Sequence, residues 1–399
     1  MSDAVSTIED PDRMRQAGRE LLSLAFIDAR NRTLRWLSAF AGFDASAAAA
    51  EFDPPQWLVG HAAWQQEYTI GRNVRRSRGD GGAARGVRLA SIEPRADAWF
   101  DPRATTRDQR WQDTDVGDAH LRDYLAATLD ATLELLERVD DTDAALQPYR
   151  QALAVEDATA ETLAEMAQAA ALPGARTTGL WPTWPSRVRR DALWFPAQHW
   201  MLGSPPSGCV PLEEQWAHDV AVPEFEIDAQ PVQWAQFVEF AEDGGYDDPQ
   251  WWSTEGWRWA ETLHRRAPRY VEQLQRGVLL QRQGQVQRAA APQAVMHLSW
   301  HEAQAWCRWA GRRLPTEPEW ELAACTAAPR GFVWGDVWEW TASRAVSWSD
   351  APPDPSAAGA RVARGGSRLT VPRLRHPKLR RFLAPSADAA FVGFRSCAL

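Results

Sequence analysis

The sequence predicts two units of different construction, an all-helical bundle followed by a mixed α+β half. Three observations predict this. Before residue 172, apolar residues recur at helical spacing in four stretches. Between 172 and 190, Pro173, Gly174, Pro182 and Pro185 cluster as linker residues do. Beyond that point Gly, Pro and Trp become frequent and apolar runs shorten, the texture of short strands joined by long loops. The expected division is a bundle over 1–172, a linker over 173–190 and a second domain over 191–399. A chain of 399 residues has room for two cores.

The first helix is expected over 10–41, with Asp10 as N-cap, Pro11 at the first helical position, and Leu21, Leu24, Leu34 and Leu37 as its stripe. A second runs from Pro55 to about Arg76. On it Trp57, His61, Trp64 and Tyr68 fall three or four residues apart and share one face. The segment 91–111, with Pro94 and Pro102, reads as a long loop. A third helix covers 117–139, carrying Leu121, Leu125, Leu129 and Leu133 on one stripe. Pro148 opens a fourth over 148–171, whose inward stripe is Ala152, Val155, Thr159 and Met166. Four such helices suit an up-down bundle. In the second half one helix stands out, 300–311, ending at Gly311 as C-cap, and the run AVMHLSW before it reads as a strand.

Composition narrows the function classes. A net charge of −9 argues against nucleic acid as a partner, because phosphate contacts need a basic surface. The N-terminus is polar and acidic without an apolar core, and no apolar run of about 18 residues occurs, so neither a secretory leader nor a membrane span is expected. Cys209, Cys307, Cys325 and Cys397 form no CxxC pair and suit a reducing compartment, with the cytoplasm as the expected location. The 23 tryptophans point to aromatic-walled cores or pockets. Arginines crowd the stretch from Arg361 to Arg395, which suits an anionic metabolite, a solvated surface or ion pairs.

The segment WLVGHAAWQQEYTIGRN at 57–73 resembles the first histidine motif of the ergothioneine-type sulfoxide synthases, and more closely of the selenoneine synthases. The second half resembles the formylglycine-generating-enzyme domain, a modified C-type-lectin-like fold, at 227–248, at VMHLSWHEAQAWCRWAGRRLPTEPEWELAA (295–324), at GDVWEWTAS, RVARGGS and FVGFRSCA. The resemblance implies a DinB-like four-helix bundle that supplies three histidines to one iron(II), one from the second helix and an HxxxH pair from the fourth. It also implies hercynine and a sulfur or selenium donor as small-molecule partners.

His61 matches the first ligand. The fourth helix reads VEDATAE at 155–161 where relatives carry a pattern like HEDMHAE, which places Val155 and Thr159 at the other two ligand positions. Valine has no donor atom, and a neutral hydroxyl is a poor ligand for iron(II). Glu156, Asp157 and Glu161 lie off the axis of that pair on a helix, so a carboxylate substitute requires a shifted register. In the substrate segment, relatives read like RNFFxPHRxDxFxGFR. Here Arg381 stands for the asparagine and Ala387 for the arginine, beside Phe382. Trp338 and Trp340 are cleft candidates whose bland reading is core packing. Thr370 stands where formylglycine-type copper chemistry needs a cysteine.

Other readings remain paired. His61 is either a residual ligand or a core ring stacked among Trp57, Trp64 and Tyr68. Glu67 is either a carboxylate supporting the ligands or an exposed helix residue. His297 and His301 are four apart, but with His297 in a strand they do not share a helix face. The expected function is a diverged relative with a degraded iron site that binds a small metabolite or a partner in an inter-domain cleft. The alternative is a working iron(II)- and oxygen-dependent synthase forming a C–S or C–Se bond on hercynine through another ligand set.

Overall fold

The computed structural model describes residues 7–74, 87–112, 116–275, 277–348 and 358–399. It divides into two compact units. The first is Met1–Leu180 with Ser207–Cys209 and Thr370–Leu374. The second is Trp181–Pro206 with Val210–Leu369 and Arg375–Leu399. Part of the expected linker is itself ordered, Gly174–Thr177 forming a 3-10 turn.

In the first unit, the expected first helix is two. α1 (Pro11–Arg15) starts on Asp10, whose carboxylate accepts from the N–H groups of Asp12 and Arg13. The chain turns at Gln16, and α2 (Arg19–Phe40) restarts after Gly18, an extended N-cap. A Cβ at Gly18 would meet the Asp141 carboxylate at 3.2 Å, so a side chain there would crowd that group. The inward face of α2 runs along Leu22, Phe26, Ala29, Thr33, Leu37 and Phe40; Leu24, expected on it, is exposed. Helix α3 (Pro55–Gln66) continues as a π-turn to Gly71, and β1 (Asn73–Val74) pairs with β2 (Val87–Arg88). The expected loop 91–111 contains two short helices, α4 (Ala96–Phe100) and α5 (Arg107–Gln112).

Helix α6 (Asp118–Arg138) buries Leu121, Tyr124, Leu125, Thr128, Thr132 and Leu136. Helix α7 (Asp143–Ala169) starts earlier than expected, because the Thr142 hydroxyl caps the N–H of Ala145 and Pro148 lies inside the helix instead of opening it. The ring of Pro148 fixes a helical φ and forfeits one donor near the helix start, a tolerable loss in a helix with six more turns to follow. The long helices α2, α3, α6 and α7 pack against one another as a four-helix bundle.

The second unit is mixed. β3 (Leu193–Phe195) pairs with β6 (Phe225–Ile227), and β4 (Gln198–Leu202) with β5 (His218–Val222). β7 (Val271–Gln273), β8 (Leu279–Arg282) and β9 (Gln285–Arg288) form a meander. A four-stranded sheet has the order β12 (Arg380–Leu383), β11 (Arg361–Arg364), β10 (Trp338–Arg344), β13 (Val392–Phe394), with β10 and β13 parallel. Four helices accompany these strands where one was expected: α8 (Trp234–Glu242), α9 (Thr254–Thr262), α10 (Trp300–Trp309) and α11 (Glu317–Thr326). Reciprocal capping boxes start three of them, Gln233 with Gln236, Ser299 with Glu302 and Thr316 with Glu319. Their core is aromatic, with Trp234, Phe237, Phe240, Trp306, Trp340 and Phe394 all buried. No helix among the described residues is long and apolar enough to cross a membrane.

Candidate functional site

His61 stands midway along α3 within an aromatic stack. Trp57 lies parallel to it at 4.7 Å, Trp64 lies on its other side at 5.7 Å, and Tyr68 follows at 4.9 Å from Trp64. The shared face expected from the spacing is therefore present. Its Nδ1 is 2.9 Å from the carbonyl oxygen of Phe100. A carbonyl only accepts, so Nδ1 carries the proton and donates, leaving the Nε2 lone pair as the basic position. Burial depresses the His61 pKa, against the raising effect of that carbonyl, and nearby Arg110 depresses it further. The imidazole is thus held neutral and in one tautomer, the condition a metal-binding histidine needs.

Helix α7 packs against α3. Val155 and Thr159 are half-buried and one turn apart, and the Thr159 hydroxyl donates to the Val155 carbonyl at 2.9 Å, so its proton serves its own helix. The neighbouring carboxylates are buried and each is held by a partner. Glu156 takes Arg30 at 2.7 Å. Asp157 takes both Arg373 nitrogens, Nε at 2.6 Å and Nη2 at 2.7 Å. Glu161 accepts from the Thr370 hydroxyl at 2.7 Å. Among the described residues no group of three or more His, Cys, Asp or Glu is placed to hold a metal ion. One imidazole, one isopropyl and one self-bonded hydroxyl do not fit a three-imidazole iron(II) centre.

Glu67 is not the exposed helix residue that one reading allowed. It is 5% exposed and accepts from the Ser91 hydroxyl, the Ile92 N–H and the Tyr124 hydroxyl at 2.6–2.7 Å. Four of the arginines in the 361–395 run are likewise buried in ion pairs, which removes the solvated-surface reading for them. Arg364 bonds Glu317 and Glu321, Arg380 bonds Glu317, Arg373 bonds Asp157 and Arg395 bonds Glu339.

In the second unit the candidates separate. Trp338 and Trp340 are both buried, and the Trp340 indole N–H donates to the Leu298 carbonyl at 2.9 Å. Strand register aligns Trp340, Ala363 and Arg381 across three strands, and the Arg381 guanidinium stands 5.8 Å from the Trp338 ring. Phe382, next along β12, points to the opposite face, under the Arg380 guanidinium at 4.8 Å. The four therefore do not line one surface. His297 is not a strand residue. It occupies a bend at φ 62°, ahead of α10, so His297 and His301 share no helix face.

Sequence reasoning missed the Phe100 carbonyl on His61, the three donors on Glu67 and the reach of Arg373 to Asp157. The last two join residues far apart in the chain, and no local pattern encodes them.

Comparison with known proteins agrees with this architecture. The Sulfatase-modifying factor enzyme 1-like domain matches residues 201–336 and 332–398. Hercynine oxygenase of Mycolicibacterium smegmatis is 27% identical, over 94% of this chain and 98% of that one. Hercynine oxygenase of Mycolicibacterium thermoresistibile is 28% identical, over 94% of each. An Inactive C-alpha-formylglycine-generating enzyme 2 of Bos taurus is 52% identical over 46 residues, 12% of this chain and 14% of that one. Matches that run nearly end to end through both units, joined to a sulfatase-modifying-factor-type second half, support an ergothioneine-type sulfoxide synthase-like family for this chain, as a diverged relative of the hercynine oxygenases.

Proposed function

We propose that this protein is a member of that family whose bundle, of DinB-like type, no longer holds catalytic iron and which binds a small molecule without oxygenating it. The observation that carries the reading is the state of α7. Val155 and Thr159 stand at the ligand positions, and the three nearby carboxylates are each bound to Arg30, Arg373 or Thr370. Recruiting Glu156 or Asp157 to a metal would strip a buried arginine of its partner, at a cost of about 3–5 kcal/mol. His61 is the single retained imidazole, and its neutral, oriented ring serves the aromatic stack. At the substrate segment Arg381 supports the same reading, because a guanidinium beside Trp338 would repel the trimethylammonium of hercynine.

A working synthase would need two donors beyond His61. The test is anaerobic loading of the whole chain with iron(II), removal of excess metal, and incubation with hercynine, oxygen and a thiol or selenosugar donor. No C–S or C–Se product above the metal-free control is expected. Multiple turnover dependent on iron would overturn the proposal.

A further inference from the structure

A cavity of about 250 Å³ opens within the first unit, between the end of α2, the start of α3 and the α4–α5 segment. Six aromatic side chains wall it: Phe40, Phe43, Trp57, Trp99, Phe100 and Trp111. Neither His61 nor any residue of α7 lines it.

The polar atoms of these walls are largely taken by the chain itself. The Trp57 indole N–H donates to the Trp99 carbonyl and that of Trp111 to the Phe52 carbonyl, each at 2.8 Å. The Arg110 guanidinium lies 3.8 Å over the Trp57 ring. It donates to Asp53 at 2.9 Å, to the Thr105 hydroxyl at 3.2 Å, and to the carbonyls of Thr105 and Pro102 at 2.7 and 2.8 Å. Apolar surface, much of it from these rings, is the larger share of what remains for a ligand, and it favours planar partners through offset and edge contacts.

Charge then selects among planar molecules. Asp44 is an exposed carboxylate on the lining whose ionised form is favoured by hydrogen bonds from Ser46, and it repels an anion. The charge of Arg110 is offset by Asp53, and Arg176, 5.7 Å from the Phe43 ring, opposes a cation. Size sets the last limit: an apolar cavity of about 150 Å³ holds one benzene ring, so this one admits two fused rings.

We propose that this cavity binds an uncharged, planar, two-ring aromatic molecule, indole-like in size and chemistry. Occupancy has a built-in reporter. Trp57 and Phe100 line the cavity, while the Trp57 ring also stacks on His61 and the Phe100 carbonyl accepts the His61 Nδ1 proton.

The test uses the full chain and three probes, indole, tryptamine and indole-3-acetate, with binding followed by calorimetry and by the NMR resonances of the His61 ring. Indole is expected to bind with one-to-one stoichiometry and to shift the His61 resonances, and each charged analogue to bind at least tenfold more weakly. Ala98→Phe, which fills the cavity from an exposed lining position, should weaken indole at least tenfold with an unchanged melting temperature. Should that variant not fold, Phe43→Ala, which removes one wall, carries the same expectation. Absence of saturable indole binding at millimolar concentration, equal affinity in the folded cavity variant, or a charged analogue that matches indole would each overturn the proposal.

Discussion

Arg373 and Asp157 form a two-point ion pair in which both side chains are sealed from solvent, 1% and 0% exposed. The same guanidinium reaches Asp28 at 2.8 Å, so one residue from the C-terminal part of the sequence ties α2 and α7 together. That pairing explains why the segment Thr370–Leu374 belongs to the bundle unit. It also holds Asp157 away from any metal role on α7.

Removing one partner should therefore be costly. Arg373→Met leaves a buried carboxylate unpaired and is expected to lower the unfolding free energy of the first unit by about 3–5 kcal/mol. The double change Arg373→Met with Asp157→Leu should recover most of that loss. Urea unfolding followed by circular dichroism reads both, and an unchanged midpoint in the single variant would rule out the pairing.

Two buried groups of the second unit should make stability respond to pH in opposite directions. Burial, reinforced by Arg282 and Arg269, lowers the pKa of His297 to about 3, so the folded protein keeps it neutral. The unfolded chain takes up that proton below about pH 6.5, so this contribution to stability is complete above that pH and is lost as pH falls toward 3. Burial raises Glu302 to about 7, against the hydrogen bonds from Tyr246 and Ser299. The folded state then retains a proton that the unfolded chain releases, so this contribution is lost as pH rises from 4.5 toward 7. Where the ranges overlap, the two slopes, each about 1.4 kcal/mol per pH unit at most, oppose one another. Glu302→Gln should expose a rise in stability with pH, and His297→Asn, which tolerates the positive φ, should expose a fall. Unfolding measured from pH 4.5 to 6.5 checks the pair of slopes.

Gly60 faces the Phe100 ring so closely that a Cβ would stand 2.1 Å from it. Phe100 is 1% exposed and cannot move outward. Gly60→Ala should cost about 1–3 kcal/mol by overpacking and should displace the Phe100 carbonyl from His61. A lowered melting temperature together with a changed His61 ring spectrum is the expected result.

Much of this architecture is legible in the residues. The α3 stack follows from positions 57, 61, 64 and 68, and the bundle from four periodic stretches. Element boundaries were less legible. Pro148 reads as a helix start because proline favours first turns, yet Thr142 supplies an earlier cap. Helices α8, α9 and α11 span only 9, 9 and 10 residues, lengths at which helical spacing is hard to tell from short strands and loops. Long-range pairs such as Arg30 with Glu156 and Arg373 with Asp157 depend on tertiary placement alone. For Glu67 the sequence leaves a supporting carboxylate and an exposed helix residue equally open, because the Ser91, Ile92 and Tyr124 donors that let a carboxylate be buried come from elsewhere in the chain.

The most direct measurement is an anaerobic iron(II) titration of the wild-type chain beside the double variant Val155→His with Thr159→His, using nitric oxide to reveal bound iron by electron paramagnetic resonance. Two imidazoles added one turn apart on α7 should complete the set with His61, so the variant is expected to bind one iron and the wild type far less than one. Stoichiometric iron in the wild type, lost on His61→Ala, would contradict the account.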